Sequence, residues 1–173
     1  MNRYIADLHL GHANIIFHTH RPFTNVDEMD KVLIENWNNV VSDNDDVWIL
    51  GDLTLDEKSA EKYLKMLKDK KHLIVGNHDR YIRDANCRKY FASIHDYKKI
   101  QDGKNKIVLF HYPIAEWDGY YRDTIHLYGH IHNSEKEAYK TMKERRNCYN
   151  VGADCIGFTP RTLQEIINIY SNK

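Results

Sequence analysis

An α/β fold with mixed sheets is what this 173-residue sequence predicts, and three observations predict it. Short apolar runs alternate with helical patterns through the first half, in the order strand, helix, strand, helix, strand. A hairpin signal, Gln101-Asp102-Gly103-Lys104-Asn105, appears only in the second half. Run after run ends in a polar cluster rich in Asp, Asn and His. The first observation implies parallel early strands, the second mixed pairing later, and the third a site along one sheet edge.

The elements follow in order. Arg3 to Ala6 is a short first strand. Asp7 to Phe23 is polar and rich in histidine, with Gly11 and Pro22 as breakers, and reads as a loop with room for one helical turn. Met29, Val32, Leu33, Asn36, Trp37 and Val40 recur at helical spacing from Val26, after Thr24 or Asn25 as a cap. Val47 to Leu50 is a strand ending at Gly51-Asp52. Lys58 to Lys68 is a second amphipathic helix with Ala60, Tyr63, Leu64 and Leu67 on one face. Leu73 to Val75 is the next strand, Tyr81 to Phe91 a helix, and Ser93 to Ile100 an extended run. Lys106 to Phe110 returns from the hairpin and ends at His111. Thr124 to Tyr128 is a strand ending at Gly129-His130. Lys136 to Arg145 is a solvated helix or a mobile loop. Tyr149 to Val151 is a last strand. A final helix starts at Thr159-Pro160, with proline at its first position and a weaker capping-box match from Thr162 to Glu165.

Length suits one domain, residues 1–173. Lys+Arg and Asp+Glu are 25 each, so the formal net charge is zero. That balance argues against a dedicated nucleic-acid or membrane-surface binder. Three cysteines, Cys87, Cys148 and Cys155, are widely spaced with no CxxC, and read as reduced thiols in a cytoplasmic protein. The opening residues turn polar too soon for a signal peptide, and no apolar run approaches the ~18 residues of a membrane span.

Five strand runs carry the chemistry. They end in Asp7 and His9, in Asp52, in Asn77, His78 and Asp79, in His111, and in His130 and His132. Gly51, Gly76 and Gly129 stand where a strand gives way to a cluster, which permits a sharp turn and close backbone approach. Asp7, His9, Asp52, Asn77, His111, His130 and His132 offer oxygen and imidazole donors and no thiolate. They exceed what one ion needs and suit two ions sharing a carboxylate, among Mn, Fe, Zn or Ni. Two close ions clamp the attacking and leaving oxygens of an in-line displacement at phosphorus.

In this order, D-x-H, G-D, G-N-H-D, H and G-H-x-H resemble the pattern of the calcineurin-like metallophosphoesterase superfamily. The match runs through Asp7-Leu8-His9, Gly51-Asp52, Gly76-Asn77-His78-Asp79, His111 and Gly129-His130-Ile131-His132. "DLHLGH" and "HYPIAEWDG" resemble a branch of small bacterial and phage phosphoesterases. The resemblance implies a four-layer αββα sandwich. It implies that Asp7, His9 and His132 hold one metal, that Asn77, His111 and His130 hold the other, and that Asp52 bridges them. Mn is the favoured ion. It also implies that a hydroxide bridging the metals attacks phosphorus. His78 then acts as proton donor or charge stabiliser, and Asp79 orients His78. The expected substrate is a small phosphoester, a diester in preference to a monoester, and nucleotide-like. The alternatives are a non-catalytic scaffold of the same fold that binds a protein partner, and a metallohydrolase of amide or ester bonds.

Each motif alone has a plainer reading. D-x-H occurs in ordinary polar loops, "GNHD" is good turn chemistry, and "GHIH" can be a strand with two outward histidines. The ordered set is what selects the functional reading. Beyond it, His12 either reaches the phosphate or caps its loop. Arg21 is either a phosphate clamp or a surface arginine. His18 and His20 read as surface residues, and Trp37 and Trp48 as core. Trp117 and Tyr120 either stack on a base or sugar or pack. The charge run over 134–146 reads as a solvated face that could meet an anionic substrate.

Overall fold

The computed structural model describes residues 1–172. Strands β1 (Asn2–Ile5), β2 (Asp46–Ile49), β3 (Lys70–Ile74) and β4 (Phe91–His95) form one sheet in that order. All three of its pairings are parallel. Strands β5 (Tyr97–Asp102), β6 (Asn105–Phe110), β7 (Ile125–Tyr128) and β8 (Cys148–Asn150) form the second. There β5 and β6 are an antiparallel hairpin, and β6, β7 and β8 run parallel. Helices α1 (Ala13–Thr19), α2 (Val26–Val40), α3 (Ala60–Met66), α4 (Ala85–Arg88), α5 (Glu137–Lys143) and α6 (Leu163–Ser171) complete the α/β sandwich. The first three strands of the parallel sheet are buried toward their carboxyl ends, where Tyr4-Ile5, Val47-Trp48-Ile49 and Leu73-Ile74 make short apolar runs. Tyr4, Trp48 and His72 share one register row. The Tyr4 hydroxyl donates to Asp102 on the second sheet at 2.8 Å, so that row faces between the sheets. Met29, Leu33, Trp37, Ala60 and Leu64 of α2 and α3 join the same core.

Caps fix the helices where the sequence offers them. Asn25 accepts from the Glu28 N–H, and α2 starts there. Thr162 and Glu165 form a complete capping box. The last helix therefore begins at Leu163, and Pro160 lies outside it. Arg161 is instead bridged to Tyr4 in both directions, at 2.8 and 3.1 Å. Three other expectations are corrected. The loop after Asp7 holds a seven-residue helix, α1, anchored by Ile15 and Ile16. The helix expected over Tyr81 to Phe91 is a 3-10 turn followed by the one-turn α4. Asp84 breaks it, because its side chain accepts from the Asn86 N–H and restarts the helix. The extended run from Ser93 to Ile100 changes sheets at Asp96, between β4 and β5. Apolar alternation carries no mark of such a switch.

Trp37 and Trp48 are buried as expected, and His18 and His20 are exposed. Trp117 is also core. It is 5% exposed, donates to the Thr124 carbonyl at 2.8 Å, and packs with Val108, Tyr128 and Met142. It cannot stack on a ligand. No disulfide joins the cysteines, and no helix is long and apolar enough to cross a membrane, among the described residues.

Candidate metal centre

The carboxyl ends of β1, β2, β3, β6 and β7 meet where the two sheets join. Ala6, just past β1, bridges to Gly152, just past β8. The Ala6 N–H donates to Val151 and the Ala153 N–H to Ala6, both at 2.8 Å. Two groups of side chains form at this seam. Asp7, His9 and His132 bring ligand atoms within 4.8 Å of one another, and so do Asp52, His111 and His130. Asp52 belongs to both neighbourhoods. Its Oδ2 lies 3.6 Å from His111 Nε2 and 3.9 Å from His9 Nε2. Asn77 Oδ1 lies 3.0 Å from His111 Nε2, which adds an amide oxygen to the second group.

Close backbone approach makes this possible. A Cβ at Gly51, Gly76 or Gly129 would come within 2.3, 2.3 or 2.6 Å of His111, Asp52 or Asp7 respectively. The glycines stand where side chains would displace the candidate ligands. Backbone strain marks the same residues. Ten non-glycine residues have positive φ among the described residues, and Asp7, His9, Asp52, His130 and His132 are five of them. Such a conformation costs about 1–3 kcal/mol each and persists where surroundings over-determine it. Here the His130 N–H is fixed on the Asp7 carboxylate at 2.9 Å, the His9 N–H on the Asp52 carbonyl at 3.0 Å, and the His78 N–H on Asp52 Oδ1 at 2.9 Å.

The donors fit cations. Both ring nitrogens of His9 are buried with no hydrogen-bond partner among the described residues. Burial, then the neighbouring His132 and Arg21, lower its pKa to about 2, so the ring stays neutral. Burial raises the Asp7 carboxyl to about 7, against the pull of His132 and His111. A buried neutral imidazole without a partner beside a desolvated carboxylate lacks a positive charge. A divalent ion supplies one.

Residues behind the candidate ligands set their tautomers. His111 Nδ1 sits 2.8 Å from the Leu50 carbonyl, which leaves Nε2 for the cluster. His132 Nδ1 sits 3.0 Å from Asp154 Oδ2. Burial opposes charge on His132, but Asp154 and Asp7 raise its pKa. Burial likewise opposes charge on Asp154, yet His132 and Arg21 hold that carboxyl well below the usual range. A carboxylate or carbonyl on the far nitrogen of a ligating histidine raises its basicity and fixes its ring.

Arg21 corrects an expectation. Its guanidinium is neither a phosphate clamp nor a surface group but is buried behind the first group. Nε and Nη2 hold Asp154 at 2.8 and 3.1 Å, while Nη1 and Nη2 donate to the Leu8 and Asp7 carbonyls at 2.8 Å. One arginine therefore ties Asp7 to the carboxylate behind His132. Asp79 is also corrected. It accepts from the N–H groups of Gly76, Asp52 and Leu53 at 2.8 to 3.0 Å, and among the described residues no hydrogen bond joins it to the His78 ring. It locks the loop after β3 to the loop after β2. Asp154 was missed in sequence, although it follows β8 and Gly152 in the same pattern of strand, glycine and carboxylate. His12 is half-buried, with its ring 5.5 Å from His9, and the His78 ring lies 5.8 Å from His9.

Arg21→Ala is expected to destabilise the fold by about 3–5 kcal/mol, because it removes the buried guanidinium from Asp154 and leaves His132 as that carboxylate's remaining side-chain partner. Urea unfolding measures this. A loss below 1 kcal/mol would mean that solvent reaches Asp154.

The fold and site together define an α/β sandwich with paired Asp/His groups fitted to cations. The chain belongs to the family of the uncharacterized protein MJ1445 of Methanocaldococcus jannaschii. It is 34% identical to that protein over 168 residues, covering 95% of this chain and 88% of the relative. The Gene 66 protein of Mycobacterium phage D29 is 29% identical over 157 residues, covering 75% and 77%. Among solved structures, the protein of unknown function AQ665 from Aquifex aeolicus superposes with a TM-score of 0.78 at 25% identity, covering 98% of both chains. YfcE, a phosphoesterase from E. coli, gives 0.46 at 15% identity, covering 87% of this chain and 77% of that one. No protein-family model matches the chain.

Proposed function

We propose that the chain is a metal-dependent phosphoesterase of the calcineurin-like type, acting on phosphodiesters in preference to monoesters. The observation that carries this reading is Asp52, set between two Asp/His groups that each suit one divalent ion. Asp7, His9 and His132 would hold one ion, Asn77, His111 and His130 the other, and Asp52 would serve both. Such ions polarise a phosphoryl oxygen and make water nucleophilic near neutral pH. Imidazole and oxygen donors suit Mn, Fe, Zn or Ni, with Mn the first to try.

The remaining work falls to side chains. His78 is half-exposed and its backbone is pinned to Asp52, which sets the ring at the rim of the groups. It donates a proton to the leaving oxygen. Asp79 fixes the turn that carries it. His12 also neighbours His9 and would reach the substrate's phosphoryl oxygens.

The test is chelation. Hydrolysis of bis(p-nitrophenyl) phosphate is expected to vanish on verified metal removal and to return with Mn. Undiminished activity without metal would overturn the reading, and inactivity with all four metals would favour a scaffold. The pH sign follows from the site. Burial raises the Asp7 carboxyl to about 7, so it gains a proton in the metal-free protein as pH falls through 7, and Asp154 and Asp7, against burial, make His132 hold its proton more tightly than a free imidazole. An incoming cation must displace them. Affinity is then expected to fall by about tenfold or more per unit below pH 7, with proton release measurable by calorimetry in buffers of different ionisation heat. His9 adds nothing to this slope, because it is already neutral.

A further inference from the structure

A cavity of about 350 Å³ lies between α5 and the strands β7 and β8. Among the residues of α5, only Met142 is fully buried, so the helix covers the sheet without filling the space beneath it. His132 of the first Asp/His group and Asp154 behind it form part of the lining. Tyr128, Tyr139 and Met142 form apolar walls, and Lys143 and Arg145 bring two cations. Arg145 Nε is buried and has no hydrogen-bond partner among the described residues. A second hollow, about 380 Å³, runs over His130, His132 and Lys136 and shares His132 and Tyr139 with the first. The lining is therefore continuous from the second Asp/His group to the space under α5.

We infer that this cavity takes the non-reacting half of the substrate: a planar ring bearing a second phosphate, as in a nucleoside bisphosphate. The inference rests on the phosphoesterase reading and deepens it. The volume is that of a small-molecule site. Tyr139, half-buried in the lining, offers a face to a planar ring. The Arg145 guanidinium and the Lys143 ammonium both line the cavity and together suit one phosphate. Glu135, also in the lining, is left to accept from ring amino or sugar hydroxyl groups. The charge run over 134–146 thereby gains a purpose that a solvated face lacks.

The experiment has two readouts on the full chain. The first is binding of thymidine 3′,5′-bisphosphate by calorimetry, with and without Mn. The second is hydrolysis of thymidine 5′-(p-nitrophenyl phosphate) with and without a 3′-phosphate. Arg145→Gln is expected to weaken binding by about tenfold, and Arg145→Lys to recover part of it. The 3′-phosphate should raise kcat/KM about tenfold in the wild type, mainly through KM, and should give no advantage in Arg145→Gln. Tyr139→Ala should weaken both nucleotides, with or without the 3′-phosphate. Equal binding by wild type and Arg145→Gln overturns the inference, as does a 3′-phosphate advantage that survives the substitution. If no phosphoester is hydrolysed with any metal, the phosphoesterase reading fails on its own, and the bisphosphate binding still decides the cavity.

Discussion

Asp52→Ala is expected to empty both metal positions and to lower kcat/KM by about 10³-fold or more, since it removes the donor common to both groups. His9→Ala should deplete mainly one. The difference follows from distance: Asp52 Oδ2 is within 4 Å of histidines in both groups, whereas His9 belongs to the first alone. Elemental analysis of bound metal per chain is the measurement. Asp52 also holds the His78 N–H, so Asp52→Asn is the companion variant that keeps an acceptor for it. Two metals per chain at wild-type affinity in Asp52→Ala would remove the bridging role.

His78→Ala should keep the fold and most of the metal but lose about 10²–10⁴-fold in rate on substrates with poor leaving groups. Nitrophenolate departs as an anion, whereas a ribose or alkyl alkoxide needs a proton. The defect is therefore expected to be mild on a nitrophenyl diester and severe on an alkyl or nucleoside diester. Some loss should remain on both if His78 also steadies charge on the phosphoryl oxygens. The comparison is kcat/KM for both substrates at matched metal occupancy. Equal losses would strip His78 of the proton, and missing metal would make it a ligand.

The gathering of the Asp/His residues was legible because each sits just past an apolar run, and parallel strands bring such ends together. The glycines were legible for the same reason: Gly51, Gly76 and Gly129 sit where a Cβ would strike a candidate ligand. What stood behind the ligands was not legible. Arg21 and Asp154 are 133 residues apart, and nothing in either segment names the other. Asp79 stood in a motif whose neighbours suggested a partner, His78, while its oxygens had nearer donors in the backbone of Asp52 and Leu53. Left-handed backbone at His9, His130 and His132 left no trace either, since histidine carries no demand for that conformation.

The seam between Ala6 and Gly152, with Arg21 on Asp154 beside it, sets an order of events during biosynthesis. The ribosome releases β1 long before β8, yet part of the loop after β1 is held from beyond residue 150: the Ala6 N–H bonds Val151, and Arg21, which holds the Asp7 carbonyl, is itself held by Asp154. A nascent chain that ends just after His132 already contains every candidate ligand. It lacks the carboxylate that turns His132 inward and anchors the arginine that holds Asp7. On the proposed function, native loading of the first group would then wait until Asp154 has left the ribosome, and an ion captured earlier would be held by side chains without that support.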